Sequence, residues 1–270
     1  MSLDNIVQKK VDFFARGWCQ FESDPYLLNW IESALPAAQL MVIEPDNAKW
    51  LRCGDTWFAG ANILPNASDG SVGSSSALGG YAVNFISQAL GLSKFDWDKA
   101  QVSICYPGYP QRMAMEKEAA FKFRRDRDAA HVDGFLPEGP NRRRFLREWH
   151  GFVLAIPLLD YDNDASPFVV WEGSHKVVRE AFESLFLNRS PEDWPSIDVT
   201  EDYHDIRKKI FNTCQRVEIV AKPGEAYLVH RLALHGVAPW RAPQDSTCKE
   251  RMICYFRPET GAIEQWLNAP

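Results

Sequence analysis

The succession of strand-like segments between residues 101 and 256 constrains the fold of this chain more than any other feature. Short apolar runs rich in β-branched and aromatic residues lie at residues 101–106, 122–131, 150–159, 168–171, 217–221, 227–229, 234–238 and 251–256. Two helical patterns interrupt them, at residues 177–187 and 201–214. A parallel α/β fold would alternate strands and helices regularly, and this segment does not. The pattern therefore predicts a mainly β fold with flanking helices (α+β), in the form of a sandwich or barrel.

The segment before these strands has a mainly helical pattern. Asp4 can cap a first helix. Asp24 and Pro25 are typical of the start of a second helix, which we expect Pro36 to end. A buried helix is predicted at residues 82–92.

We find no internal repeat and expect one domain over residues 1–270. In this interpretation residues 1–99 are a mainly helical flank, residues 100–257 are the β core with helical inserts, and residues 258–270 are a C-terminal tail.

Composition excludes several classes of protein. With 46% hydrophobic residues the chain can bury a large core, and its net charge of −6 argues against a broad nucleic-acid interface. No run of 18 apolar residues is present, so we expect no membrane span, and Met1–Asn5 lacks the pattern of a signal peptide. The 6 cysteines are scattered without a CxxC pair, which favours reduced thiols in a cytoplasmic protein.

The short motif His131-Val132-Asp133-Gly134 is the first candidate for chemistry. Side chains two residues apart on a strand point to the same face, so His131 and Asp133 can share one metal ion. They would supply two ligands of a facial triad of two histidines and one carboxylate, which suits Fe(II) and leaves positions open for substrates. With 6 histidines and 36 acidic residues, about one such pair is expected by chance, so the motif alone is weak.

A second segment, residues 223–236, strengthens the motif. It offers His235 as a third ligand, and Arg251 opens the next apolar strand, where an unpaired cation would be costly. A guanidinium at such a place is the planar donor that a carboxylate prefers, which a lysine is not.

The chain resembles the phytanoyl-CoA dioxygenase-like branch of the Fe(II)/2-oxoglutarate-dependent oxygenases. The matching pieces are His131–Gly134, the strand from His150, the run from Val169 to Lys176, and residues 224–236 with Arg251; they occur in the family's order. The third piece departs from the family pattern, with Trp171-Glu172 where a proline usually precedes the glycine. Arg251 also lies somewhat further beyond His235 than usual, which a longer hairpin loop would explain.

The resemblance implies a double-stranded β-helix, a jelly-roll-like barrel with a metal at its mouth. His131, Asp133 and His235 would bind Fe(II), and Arg251 would bind the distal carboxylate of 2-oxoglutarate. O2 would be the oxidant, and a C–H bond of a small molecule would be hydroxylated with release of succinate and CO2. If Arg251 does not have this role, Arg127 is the next candidate.

The carboxylate at position 133 favours hydroxylation, because the family's halogenases have a small residue there. Two other classes stay open: a non-haem metal oxygenase on the same barrel that does not use 2-oxoglutarate, and a non-catalytic barrel that binds a small molecule. The substrate is not readable, and the resemblance does not imply a CoA thioester. The oligomeric state is also open.

The other histidines are expected to be structural. We predict a packing role for His230, a hydrogen-bonding role or a place in the pocket lining for His150, a turn position for His175 and an exposed position for His204. The basic run Asn141–Arg147, which includes Arg142, Arg143 and Arg144, is read as a short helix. It is either a solvated face or a lid whose arginines meet an anionic substrate.

Overall fold

A computed structural model describes residues 3–269 of the chain. Twelve strands are present in this range: β1 Trp18–Phe21, β2 Leu51–Arg52, β3 Trp57–Gly60, β4 Gln101–Cys105, β5 Phe135–Glu138, β6 Arg143–Leu146, β7 Phe152–Pro157, β8 Phe168–Trp171, β9 Arg216–Ile219, β10 Ala226–His230, β11 His235–Val237 and β12 Arg251–Phe256. The α-helices are α1 Leu3–Arg16, α2 Pro25–Ile43, α3 Tyr81–Ala89, α4 Glu118–Asp126, α5 Ser174–Leu185, α6 Thr200–Thr213 and α7 Ile263–Asn268. Two 3-10 helices span Pro45–Trp50 and Pro191–Ser196.

All of the strand pairs are antiparallel. Seven strands form one sheet in the order β1-β10-β7-β12-β4-β3-β2, three form a second sheet in the order β11-β8-β9, and β5 pairs with β6 in a hairpin. The predicted antiparallel β core with flanking helices (α+β) is therefore confirmed, although the helices contain more residues than the strands do. The described strands form separate sheets, and no continuous ladder of hydrogen bonds closes them into a barrel.

The two faces of the large sheet bury different cores. On strand β7, Leu154 and Ile156 face the helices α1–α3, while Val153 and Ala155 face the three-stranded sheet. Strand β12 alternates in the same way, because successive side chains of a strand point to opposite faces. The predicted helical flank thus covers one face of the sheet, and the space between the two sheets lies on the other.

Helix α2 begins as the sequence predicts but ends later. The Asp24 side chain accepts a hydrogen bond from the backbone N–H of Tyr26 at 2.9 Å, and Pro25 occupies the first helical position. The prediction that Pro36 ends the helix is wrong, because α2 continues to Ile43. Pro36 lies on the exposed face, where water can satisfy the carbonyl group that the proline leaves unpaired, while Ala34 and Ala38 continue the buried face.

The strand predicted at residues 122–131 is also wrong, since helix α4 occupies much of that segment. Phe121 and Phe123 have the two-residue spacing of a strand, but Phe123 alone packs into the core, where its ring lies 6.2 Å from that of Phe211. An ion pair of 2.5 Å joins Arg124 in helix α4 to Glu116, which precedes the helix.

The basic run at residues 141–147 is a strand and not a short helix. Arg143, in β6, forms ion pairs with Asp198 and Glu201. Arg144 donates to the Phe135 carbonyl at 2.7 Å, and its guanidinium lies 5.4 Å from the Tyr203 ring centre. Arg143 and Arg144 are engaged with the protein, so the lid interpretation is not supported for these two arginines; Arg142 is exposed.

Most of the other predicted strands and helices agree closely with the structure, but β1, β5 and α7 were not predicted, and β1–β3 lie in the segment that was expected to be a mainly helical flank. The strands predicted at residues 168–171 and 251–256 have those bounds, and each is fully buried. The two helical inserts are α5 and α6, although α5 begins at Ser174 and therefore includes His175, which we placed in a turn. Among the described residues, no helix combines the length and apolar character needed to cross a membrane.

Candidate metal centre and its cavity

A backbone bridge holds His131 beside His235. The backbone N–H of His131 donates to the His235 carbonyl at 2.8 Å, and the N–H of His235 donates back to the His131 carbonyl at 2.9 Å. The two imidazole ring centres are 4.6 Å apart. Gly236 makes this close approach possible, because a Cβ there would collide with the carbonyl oxygen of Asp128.

Each imidazole is oriented by the backbone. The Nδ1 of His131 lies 3.0 Å from the Ala129 carbonyl oxygen, and the Nδ1 of His235 lies 2.9 Å from the Ala233 carbonyl oxygen. A carbonyl can only accept, so each Nδ1 carries the hydrogen and each Nε2 keeps a free lone pair. This is the orientation that metal-binding histidines usually have.

Asp133 lies where the two Nε2 atoms converge. Its Oδ1 is 3.3 Å from Nε2 of His131, and its Oδ2 is 3.5 Å from Nε2 of His235. One ligand atom from each of the three residues lies within 4.8 Å of the others. The structure therefore brings the predicted triad together, although His131 and Asp133 occupy a single-bridge extended segment and a turn and not a regular strand.

Neighbouring cations keep the Asp133 carboxylate charged. Burial alone would raise the pKa of this carboxyl, but His235 and His131 in their protonated forms, together with the permanently charged Arg257, outweigh burial and hold the pKa well below its usual range. The Nη1 of Arg257 is 3.6 Å from Oδ1 of Asp133. Two neutral imidazoles and one carboxylate on one side of a cavity are a suitable donor set for Fe(II).

The residue after Asp133 fixes the turn that aims this carboxylate. Gly134 has a φ of +92°, and a Cβ there would collide with the carbonyl oxygen of Glu148. Val132, between the two ligands, points the other way into the core and donates its N–H to the Tyr203 hydroxyl at 2.8 Å.

Arg251 is completely buried at the start of β12. Its Nη2 donates to the Tyr255 hydroxyl at 3.0 Å and, more weakly, toward the Tyr227 hydroxyl at 3.5 Å. Its guanidinium lies 5.5 Å from the centre of the Tyr161 ring. Nε and Nη1 have no hydrogen-bond partner in the described part of the chain, and no carboxylate there pairs with this cation.

Phe168 connects the surroundings of Arg251 with those of the triad. Its ring stacks on His235 at 5.4 Å and lies 5.9 Å from the ring of Tyr255, which bonds to Arg251. Arg251 is thus placed behind the metal centre, in the space between the two sheets. Arg127, the other candidate, is exposed at the end of α4, where its guanidinium lies 4.9 Å from the Phe211 ring centre; neither arginine is among the lining residues of the cavity described next.

A cavity of about 580 Å³ opens in front of the triad; we call it the central cavity. Sequence reasoning missed most of its lining residues, among them Trp50, Arg52, Trp57 and Arg257. Arg257 could have been found, since it continues the two-residue spacing of Arg251, Ile253 and Tyr255 on the inner face of β12. Nothing in the sequence indicated that strands β2 and β3 would contribute to this cavity.

The remaining histidines are outside the metal centre. His230 is buried beside Phe13, and its Nδ1 accepts a hydrogen bond from the Leu232 N–H at 3.0 Å, which agrees with the predicted packing role. His150 contacts Glu148 at 3.1 Å and does not line the central cavity. Burial lowers the pKa of His175 to about 4, and His204 is exposed on α6 as predicted.

No protein-family model and no curated protein sequence matches the chain. Several solved structures, however, are similar to the chain. The non-heme alpha-ketoglutarate-dependent epimerase SnoN from nogalamycin biosynthesis has a TM-score of 0.51 and 12% identity, and the alignment covers 96% of this chain and 84% of SnoN. The carbocyclase SnoK from the same biosynthesis has a TM-score of 0.51 and 13% identity over 96% of this chain and 83% of SnoK.

SnoN has also been solved in complex with Fe3+, alpha ketoglutarate and nogalamycin RO, and that structure covers 94% of this chain and 83% of SnoN at a TM-score of 0.51 and 12% identity. At such low identity the likeness concerns the fold. The chain therefore has the fold of non-haem, ketoglutarate-dependent enzymes, and the narrower resemblance to the phytanoyl-CoA dioxygenase-like family stays a prediction.

Proposed function

We propose that this protein is an Fe(II)- and 2-oxoglutarate-dependent dioxygenase that hydroxylates a small molecule. One observation carries the proposal: the Nε2 atoms of His131 and His235 converge on the two oxygens of Asp133, at 3.3 and 3.5 Å. Both imidazoles are held in the tautomer that can bind a metal, and the open side of the triad faces a cavity large enough for a small molecule.

His131, Asp133 and His235 would hold the iron, which supplies the redox chemistry by which O2 oxidises 2-oxoglutarate to succinate and CO2 and hydroxylates the substrate. The chain's own contribution is orientation. The carbonyl groups of Ala129 and Ala233 fix the two imidazole rings, and Arg257 keeps Asp133 in its ionised, metal-binding form.

Arg251 supports 2-oxoglutarate as the co-substrate and disfavours an oxygenase that does without it. A buried cation without a counterion destabilises a folded protein, so it persists where a ligand provides the opposite charge. The unpaired Nε and Nη1 can donate to the distal carboxylate of 2-oxoglutarate, and the hydroxyl groups of Tyr227 and Tyr255 fix the guanidinium through Nη2.

Three narrower assignments belong to the same proposal. The motif order places the chain beside the phytanoyl-CoA dioxygenase-like enzymes. The ligand Asp133 favours hydroxylation over halogenation. The predictions of one domain over residues 1–270 and of a cytoplasmic location are kept, the latter because all 6 cysteines are free.

The direct test is substrate-stimulated succinate release with a metabolite library. We expect release that needs Fe(II), O2 and 2-oxoglutarate together and that is lost in His235→Ala. His204→Ala, at an exposed position on α6, is the matched control and should retain full release. Equal release by His235→Ala and the control would contradict the proposed metal centre.

A further inference from the structure

The outer part of the central cavity has a composition of its own. Its lining includes Trp50, Arg52 and Trp57, and we call these three residues the rim. Leu136 and Pro137, from the hairpin of β5 and β6, also line it. Arg52 is exposed and Leu136 is 41% exposed, whereas Asp133 and His235 are buried, so the rim is the entrance and these two ligands form the floor, while His131, the third ligand, is exposed.

The described charged residues that line the central cavity are two arginines, Arg52 and Arg257, and one carboxylate, so positive charge is in excess. Asp133 is the one carboxylate among the described lining residues, and it is engaged with the histidines and Arg257. Arg52 forms no ion pair in the described part of the chain. Its guanidinium lies 5.8 Å from the ring centre of Trp50, and the Lys49 ammonium lies 6.0 Å from the same ring. The entrance therefore has one unpaired cation, Arg52, beside an aromatic surface, and Lys49 adds positive charge near the same ring without lining the cavity.

These features define a substrate class, if the proposed function holds. We propose that the substrate is an organic anion with a flat, apolar body, and that Arg52 binds its carboxylate or phosphate group at the cavity entrance. Trp50, Trp57, Leu136 and Pro137, which line the same cavity, provide the apolar surfaces for the body.

Two arguments assign the anion to Arg52. Arg257 already has a carboxylate partner in Asp133 at 3.6 Å, so it contributes positive potential at the floor and not a free ion-pairing site. Arg52 has no such partner and can pair with a planar oxyanion through two nitrogens. This places anion recognition on β2, and not on the basic run at residues 141–147, where Arg143 is paired with the protein's own carboxylates.

The test is a binding experiment that needs no turnover. Anaerobic enzyme loaded with Fe(II) and saturating 2-oxoglutarate, which occupies the site at Arg251, is titrated calorimetrically with probes that share a naphthyl body. The probes are 2-naphthylacetate, 2-naphthyl phosphate, the neutral 2-naphthylacetamide and the cationic 2-naphthylethylamine. We expect at least one anion to bind about tenfold or more tightly than the amide, and the amine to bind most weakly. The tighter of the two anions identifies the oxyanion.

Variants locate the two parts of the site. Arg52→Gln should reduce the preference for anion over amide to within about threefold, while leaving the amide's affinity unchanged. Trp50→Ala should weaken all of the probes alike. Arg189→Gln removes an equally exposed positive charge that does not line the cavity, and it should change nothing.

Equal affinity for anion, amide and amine would overturn the proposal. So would a preference for the anion that survives Arg52→Gln, or a failure of every probe to bind. The same titrations on the metal-free protein with 2-oxoglutarate measure the preference whether or not iron binds. An anion preference that depends on Arg52, in a protein that never releases succinate, would refute the proposed oxygenase and leave this site standing.

Discussion

Replacing Arg251 by lysine tests the co-substrate site most sharply. The change keeps a positive charge at a completely buried position but removes the planar group. In the wild-type protein Nη2 serves the Tyr255 and Tyr227 hydroxyl groups, at 3.0 and 3.5 Å, while Nε and Nη1 stay free for a ligand. A lysine ammonium would have to serve the tyrosines and the 2-oxoglutarate carboxylate from one nitrogen.

The expected magnitude follows from that count of donors. Lysine should lose at least one hydrogen bond between charged groups, which is worth about 1.5–3 kcal/mol. The dissociation constant for 2-oxoglutarate should therefore rise about 10- to 150-fold. No other described residue supplies a buried guanidinium at this place, so we expect no compensation.

The assay is an anaerobic titration of the Fe(II)-loaded protein with 2-oxoglutarate, followed by the metal-to-ligand charge-transfer absorption. Arg189→Lys, at an exposed position, is the matched control and should titrate like the wild-type protein. An unshifted titration of Arg251→Lys would refute the assignment. The role of binding 2-oxoglutarate would then fall to Arg257, which lines the central cavity, and not to Arg127, which does not.

A second variant tests the same reasoning through stability. Arg251→Met removes a buried charge that has no counterion, and even a buried ion pair can often be replaced by apolar residues with no loss of stability or with a gain of about 1–4 kcal/mol. We expect the ligand-free variant to melt no lower than the wild-type protein. It should also lose the rise in melting temperature that 2-oxoglutarate gives the wild-type protein. A variant that is strongly destabilised without ligand would show that the arginine has a structural role.

Three further predictions concern the metal, the reaction and pH. His131→Ala and Asp133→Ala should each abolish Fe(II) binding at micromolar concentration with the circular dichroism spectrum unchanged; iron content after anaerobic reconstitution measures this, and unchanged iron in both variants would show that the triad is misassigned. The wild-type product should carry oxygen and no halogen even in concentrated chloride, because the Asp133 carboxylate occupies the position that a halide would need. Asp133→Gly should lose activity, because it removes a metal ligand. Mass spectrometry of the product measures this, and a chlorinated wild-type product would exclude Asp133 as a ligand. Burial raises the pKa of Asp98 to about 6, so the stability that its neutral form contributes is complete below about pH 4 and is lost as the pH rises through 6. Asp98→Asn should therefore be more resistant to urea than the wild-type protein at pH 8, by about 1–3 kcal/mol, and the difference should shrink at pH 4; a difference independent of pH would contradict the shift.

The sequence predicted the strands best where the chain is buried on both faces. Strands β8 and β12 are continuous apolar runs, and their predicted bounds agree with the structure. Helix α4 was missed because its pattern is ambiguous: two phenylalanines are spaced as on a strand, and only the fold decides that one of them, Phe123, reaches the core. Pro36 was overinterpreted because its cost depends on solvent exposure, which the local sequence does not report.

The candidate ligands were predictable for a different reason. His131 and Asp133 lie two residues apart, so a local rule places them on one side of the chain, and the segment 223–236 offered His235, whose role the resemblance then implied. The cavity walls could not be predicted in this way. Arg52 and Trp57 reach the metal centre because β3 pairs with β4, at Trp57 opposite Cys105, and β4 pairs with β12. Pairings between segments so distant in sequence leave no local signal.

The inner face of β12 connects these observations. Arg251 and Arg257 lie six residues apart on that face, which corresponds to about 20 Å of extended chain. One cation is buried without a counterion, and the other is 3.6 Å from the Asp133 carboxylate. A single strand thus presents positive charge at both ends of the site. No carboxylate in the described part of the chain pairs with Arg251, and Asp133 is engaged with Arg257, so a negative charge beside Arg251 would come from a ligand. A dicarboxylate co-substrate bound between Arg251 and the metal would supply it, and this requirement distinguishes the chain from a barrel that binds a neutral molecule.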